Sequence, residues 1–132
     1  FLAVLDHDEC VTLVSIEPRH AVASVAQRPG TRHPVTRGAP GKAILSLLPP
    51  PSWPAEVTPA LAAEVTDAAA RGFATSHDEV IPTLRAVAVP LTLRGREPAS
   101  IAVVYVASSH DDAQIAARLA RSASTIREAL GG

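Results

Sequence analysis

Leu84-Arg85-Ala86-Val87-Ala88-Val89-Pro90-Leu91-Thr92-Leu93, the connection Arg94-Gly95-Arg96-Glu97-Pro98, and then Ser100-Ile101-Ala102-Val103-Val104-Tyr105-Val106 form the stretch on which the fold turns. Valine and isoleucine recur through both runs, and β-branched side chains suit a pleated, half-buried surface. The connection carries a glycine and a proline. It joins the runs as an antiparallel hairpin of two long strands.

Working outward, three apolar stretches open the chain, at 1–5, 10–16 and 20–26. Asp6-His7-Asp8-Glu9 is a polar turn that makes the first two a hairpin. In the second, Val11, Leu13 and Ser15 share one face. Glu17-Pro18-Arg19 breaks the second stretch from the third, and Arg28 to Pro34, with two prolines and a glycine, reads as a loop. Pro40 suits the first turn of a helix, where a missing N–H costs little; Ile44, Leu47 and Leu48 then share a face until Pro49-Pro50-Pro51 ends it. A second helix is better marked. Thr58 caps it, Pro59 takes its first position, Leu61, Val65, Ala68 and Ala69 form its stripe, and Gly72 stops it. The last helix spans about Asp111 to Leu130, with Ile115, Leu119, Ile126 and Leu130 in register and Gly131 at its end. Asp111 and Asp112 at its start and Arg127 near its end oppose the helix dipole. Strands, helices, strands and a helix, in that order, predict an α+β fold around a largely antiparallel sheet, one domain over residues 1–132.

Composition excludes several classes. The chain of 132 residues is 47% hydrophobic and 19% charged, which is globular rather than disordered. Only 3% of residues are aromatic, so Ala, Val, Leu and Ile must build the core. A net charge of -1, with scattered arginines, argues against direct binding of nucleic acid. No apolar run reaches membrane-spanning length. A single cysteine allows no internal disulfide, and a reducing cytoplasm is the expected compartment. The absence of methionine leads us to expect a segment upstream of Phe1.

Catalytic chemistry finds no foothold. Lys42 follows a glycine, but a phosphate loop would need glycine where Thr36 stands and Ser or Thr where Ala43 stands. His7, His20, His33, His77 and His110 lie in polar turns or strand edges and make no helical pair; with one cysteine they predict no metal site. Cys10 begins an apolar strand and reads as a small buried hydrophobe rather than a nucleophile. Ser76-His77-Asp78-Glu79 reads as a polar turn with a capping-type spacing, not a catalytic cluster.

Five segments, in order and spacing, resemble the effector-binding domain of IclR-type transcription regulators. They are the hairpin Leu2 to Glu17, His33-Pro34-Val35, Gly41-Lys42-Ala43-Ile44-Leu45, Arg71-Gly72-Phe73-Ala74 with Glu79 beyond it, and Leu84-Arg85-Ala86-Val87-Ala88-Val89-Pro90. The resemblance implies a GAF- or PAS-like sheet flanked by helices, with a small metabolite, often a carboxylate, bound beside it and no cofactor. By that resemblance the helix start at Ala39, Pro40 and Gly41 offers backbone donors to the acid. The opposite wall is expected from Ser76, Leu84, Ala86, Val103 and Tyr105. Pro40 lacks an N–H, and Val103 and Tyr105 stand where the family often has serines. These departures point to a less polar effector, an aromatic or longer acyl acid. The alternative is a ligand-free assembly module whose pocket Tyr105 fills. The resemblance further implies a winged helix-turn-helix N-terminal to this chain, operator DNA bound only through it, and homo-oligomers, dimeric or tetrameric.

Overall fold

The two Val-rich runs pair antiparallel over their whole length, from Leu84 opposite Val106 to Leu91 opposite Ala99, as strands β5 (Leu84–Leu91) and β6 (Ala99–Val106). The computed structural model describes residues 1–15, 28–77, 84–106 and 111–130, without the side chains of Leu84 and Val106. Before this hairpin come β1 (Leu2–Asp6), β2 (Glu9–Val14), β3 (Arg32–Pro34), helix α1 (Ala39–Leu45), helix α2 (Pro59–Arg71) and β4 (Ala74–His77); helix α3 (Asp112–Ala129) follows it. The six strands form one sheet in the order β3-β2-β1-β6-β5-β4, antiparallel at each pairing. The fold is the expected α+β type.

Alternation along the strands divides the core into two layers. Ala3, Cys10, Ala74, Ala86, Ala88 and Ala102 face α1 and α2. Val87, Val89, Leu91 and Ile101 face α3, against Ala116, Leu119 and Ala123. In β2 the buried side chains are Cys10 and Thr12, while Leu13, on the other face, is 49% exposed.

Local signals set the helices. Thr58 Oγ1 accepts from the Leu61 N–H at 3.1 Å, and Gly72 ends α2 in the left-handed region at φ 89°. Asp111 caps α3 by accepting from the Ala113 N–H. Leu61, Val65 and Ala68 are buried as expected, but Ala69 is exposed, and the core side of α3 is Ala116, Leu119 and Ala123 rather than Leu130. Helix α1 ends at Leu45, short of the expected Leu48. The chain then tightens into turn bonds from Leu47 N–H to Ile44 O and Leu48 N–H to Leu45 O, which leaves Leu47 exposed. The Trp53 indole N–H closes this end by donating to Leu45 O and Leu48 O, each at 3.1 Å.

Two edge strands depart from expectation. Arg32–Pro34, expected as loop, pairs with β2, and Ala74–His77, whose second half was expected in a turn, pairs with β5. Both are short, and each is held by a longer neighbour. The apolar stretch at 20–26, with Ile16, Glu79 and Gly131, lies outside the described residues.

Candidate functional site

Alanine decides how closely α1 approaches the sheet. Ala39 and Ala43 of the helix, Ala68 of α2, and Ala74, Ala86, Ala88 and Ala102 of the strands pack as one buried layer. Gly41 completes the approach on another side: a β-carbon there would stand 2.1 Å from the Val35 carbonyl oxygen, so only glycine fits. Lys42, 3% exposed, pins the helix laterally. Its Nζ donates to Thr75 O at 3.2 Å and pairs with Glu64 Oε2 at 2.5 Å, joining α1 to β4 and α2. A buried ammonium needs such partners, and this pinning has no counterpart in the sequence motif, which shows only that Lys42 follows a glycine.

Beyond the alanine layer, toward the ends of the strands, one row crosses the sheet on the α1 face. Ser76 of β4 lies opposite Ala86 of β5, which lies opposite Val104 of β6. Ser76 and Val104 are half-buried and Ala86 is 7% exposed. Ala39 packs in the same cluster as Ala86, with Val104 and Phe1 against it. Pro40, at the second helical position, is half-buried. The structure therefore brings together Ala39, Ser76 and Ala86 of the expected residues, with Pro40 and Gly41 following Ala39 in the first turn of α1. Gly41 is there for close packing. Leu84 pairs with Val106, but its side chain lies outside the described residues.

Val103 and Tyr105 are on the other face. Val103 pairs with Val87 and Tyr105 with Arg85, so both share the side that α3 covers. Val103 is 39% exposed there. The Tyr105 hydroxyl donates to Asp112 Oδ1, and Arg85 Nη2 donates to Asp112 Oδ2 at 3.1 Å. Tyr105 accordingly does not fill the space beside α1. The physical reason is parity: a one-residue slip along a strand exchanges its two faces, and Val104, not its neighbours, faces α1. Pairing Ala86 across the hairpin would have exposed the slip, had the register of the Arg94–Pro98 connection been known.

Polar groups are sparse on the α1 face. Ser76 supplies one hydroxyl to the row. Deeper on the same face of β6, Ser100 is fully buried, and its Oγ has no hydrogen-bond partner among the described residues. Cys10 is buried at 4% exposure, and burial pushes its thiol up to about 12. It is inert packing, as its place at the start of a strand suggested. Among the described residues no group of three His, Cys, Asp or Glu side chains is placed to hold a metal ion, and no helix is long and apolar enough to cross a membrane.

No protein-family model and no curated protein sequence matches the chain. Solved structures do. The Thermotoga maritima IclR superposes with a TM-score of 0.84 at 23% identity, over 99% of this chain and 60% of that one. An IclR homologue from Microbacterium hydrocarbonoxydans, complexed with 4-hydroxybenzoate, gives 0.79 at 23% identity, over 97% and 60%. The repressor BlcR of Agobacterium tumefaciens gives 0.76 at 24% identity, over 98% and 58%. The fold is that of the corresponding domain of these transcription regulators, and the chain spans about three-fifths of their length.

Proposed function

We propose that this chain is the effector-binding domain of an IclR-type transcription regulator, a sensor and not an enzyme. It takes a small organic acid beside α1, at the row Ser76–Ala86–Val104 and the helix start Ala39–Pro40. The observation that supports this most strongly is the superposition of nearly the whole chain on IclR regulators, one of them holding an aromatic acid. Of the residues at the row, Ala39, Pro40, Ala86 and Val104 are apolar and Ser76 alone brings a hydroxyl. Pro40 also removes a backbone donor from the first turn. Both features favour an aromatic or longer acyl acid over a two-carbon acid. The shift of polarity first ascribed to Val103 and Tyr105 belongs instead to Ala86 and Val104.

In the whole regulator, operator DNA is bound through a separate N-terminal winged helix-turn-helix, in a cytoplasmic homodimer or tetramer. The effector acts by binding one subunit arrangement better than another. A second reading is an assembly module that binds no ligand. It is favoured by the alanine layer, in which Ala39 and Ala43 are fully buried against the sheet.

A thermal-shift and calorimetric panel of 4-hydroxybenzoate, benzoate, octanoate, glyoxylate and pyruvate separates the readings. A ligand at one hundred times its Kd stabilises by about 2.7 kcal/mol, a rise of roughly 8–13 °C for a domain of this length. We expect that rise with the aromatic or acyl acids. Binding of glyoxylate or pyruvate alone would defeat the apolar-effector reading, and binding of none of the five would support the assembly module.

A further inference from the structure

Asp112 holds two strands at once. It is the first residue of α3, next to the cap Asp111, and its two carboxylate oxygens go to different strands: Oδ1 to the Tyr105 hydroxyl on β6, Oδ2 to Arg85 on β5. Arg85 and Tyr105 are themselves cross-strand partners. One residue along each strand, on the opposite face, stand Ala86 and Val104, two members of the candidate row. The bridge and the row are thus the back and front of the same pair of strand ends.

We propose that Asp112 is a positioning residue for the candidate site: it fixes the spacing of β5 and β6 behind Ala86 and Val104, and occupation of the row is felt through the bridge by the first turn of α3. This rests on the reading of the row as the ligand site. A sheet is one peptide thick, so a ligand that moves Ala86 relative to Val104 must also move Arg85 relative to Tyr105. A carboxylate with one oxygen committed to each strand resists that movement, and charge-assisted bonds are the stronger kind. The helix N-terminus favours the charged carboxylate at this position. The Arg85 and Asp112 side chains remain 34% and 24% exposed, so water can exchange with the bridge and strand movement does not have to open the core.

The chain contains one tyrosine, so ring-labelled 13C-tyrosine gives one NMR resonance and reports Tyr105 alone. With saturating 4-hydroxybenzoate or octanoate as probe, the Tyr105 ring-carbon signal is expected to shift although the probe sits on the other face. Asp112→Asn should abolish that shift and weaken probe binding about fivefold to tenfold, the scale of one charge-assisted contact. Asp112→Glu, which keeps the charge, should restore part of both. A merely structural role would lower the melting temperature of Asp112→Asn and leave affinity alone. Bound probe with an unmoved Tyr105 signal, or unchanged affinity in Asp112→Asn, overturns the positioning role while leaving the site reading intact. Failure of both probes to bind the unsubstituted chain overturns the two together.

Discussion

Replacing Gly41 by alanine tests how closely α1 lies against its surroundings. The added β-carbon would stand 2.1 Å from Val35 O and 2.7 Å from the Val35 carbonyl carbon, where real contacts essentially never fall below 3.0 Å. These are backbone atoms of a fully buried residue, so no side chain can swing away. Relief requires α1 and the Val35 segment to part by about 0.9 Å. A gap of that size forfeits roughly a quarter to a half of each dispersion contact along the alanine layer. Overpacking of this kind costs about 1–3 kcal/mol, and the lost layer contacts add to it. The better helix propensity of alanine returns about 1 kcal/mol at most. A net loss of about 2–3 kcal/mol lowers the melting temperature by roughly 6–15 °C. Urea and thermal unfolding read the loss, and emission of Trp53, the sole tryptophan and bonded to the end of α1, reports the displacement. A Gly41→Ala chain that melts within about 2 °C of the unsubstituted one, or above it, would refute the close approach.

Three further outcomes follow from buried polar groups. Ser100→Ala removes a buried hydroxyl without a hydrogen-bond partner among the described residues, and should raise unfolding stability by up to about 1 kcal/mol in urea; a loss of comparable size would show that the hydroxyl is satisfied. Cys10, with its thiol pushed up to about 12 by burial, should resist a disulfide reagent in the native chain near neutral pH and react at once in guanidinium chloride; fast native reaction would contradict its burial. Tyr105 is held up to about 12, first by burial and then by the Asp112 carboxylate, against an ordinary 10.0. The fold favours the neutral phenol, so its contribution to stability is complete below pH 10 and is lost as pH rises from there to about 12. Phenolate absorbance should show half-ionisation near the upper value when folded and near the ordinary one in denaturant, whereas an ordinary native titration would exclude the bridge to Asp112.

Local signals carried much of the fold in advance. Thr58, Pro59 and Gly72 bound α2, and Asp111 opens α3, because capping and left-handed termination depend on single residues and their immediate neighbours. The Val-rich runs of β5 and β6 were legible for the same reason, since their composition is sustained over eight residues each. Edge strands were not. Arg32–Pro34 contains a proline and Ala74–His77 only polar and small residues, and each is a strand because a longer strand lies beside it. At the candidate site the helix start, Ser76 and Ala86 were readable from order and resemblance. Val103 and Tyr105 were misplaced because face depends on hairpin register, a long-range quantity that strand composition leaves open. Lys42 was visible as a residue after glycine, but its burial between Glu64 and Thr75 arises only when three elements converge.

The direct test of the site's location is calorimetric titration of 4-hydroxybenzoate into two variants altered on opposite faces of the same strand ends. Ser76→Leu obstructs the row beside α1, whereas Val103→Ala trims a half-exposed residue on the α3 face. The account predicts that Ser76→Leu weakens binding by about tenfold or more while its melting temperature stays close to that of the unsubstituted chain, and that Val103→Ala binds within about twofold. Affinity lost in Val103→Ala and kept in Ser76→Leu would place the ligand on the other face and contradict the account.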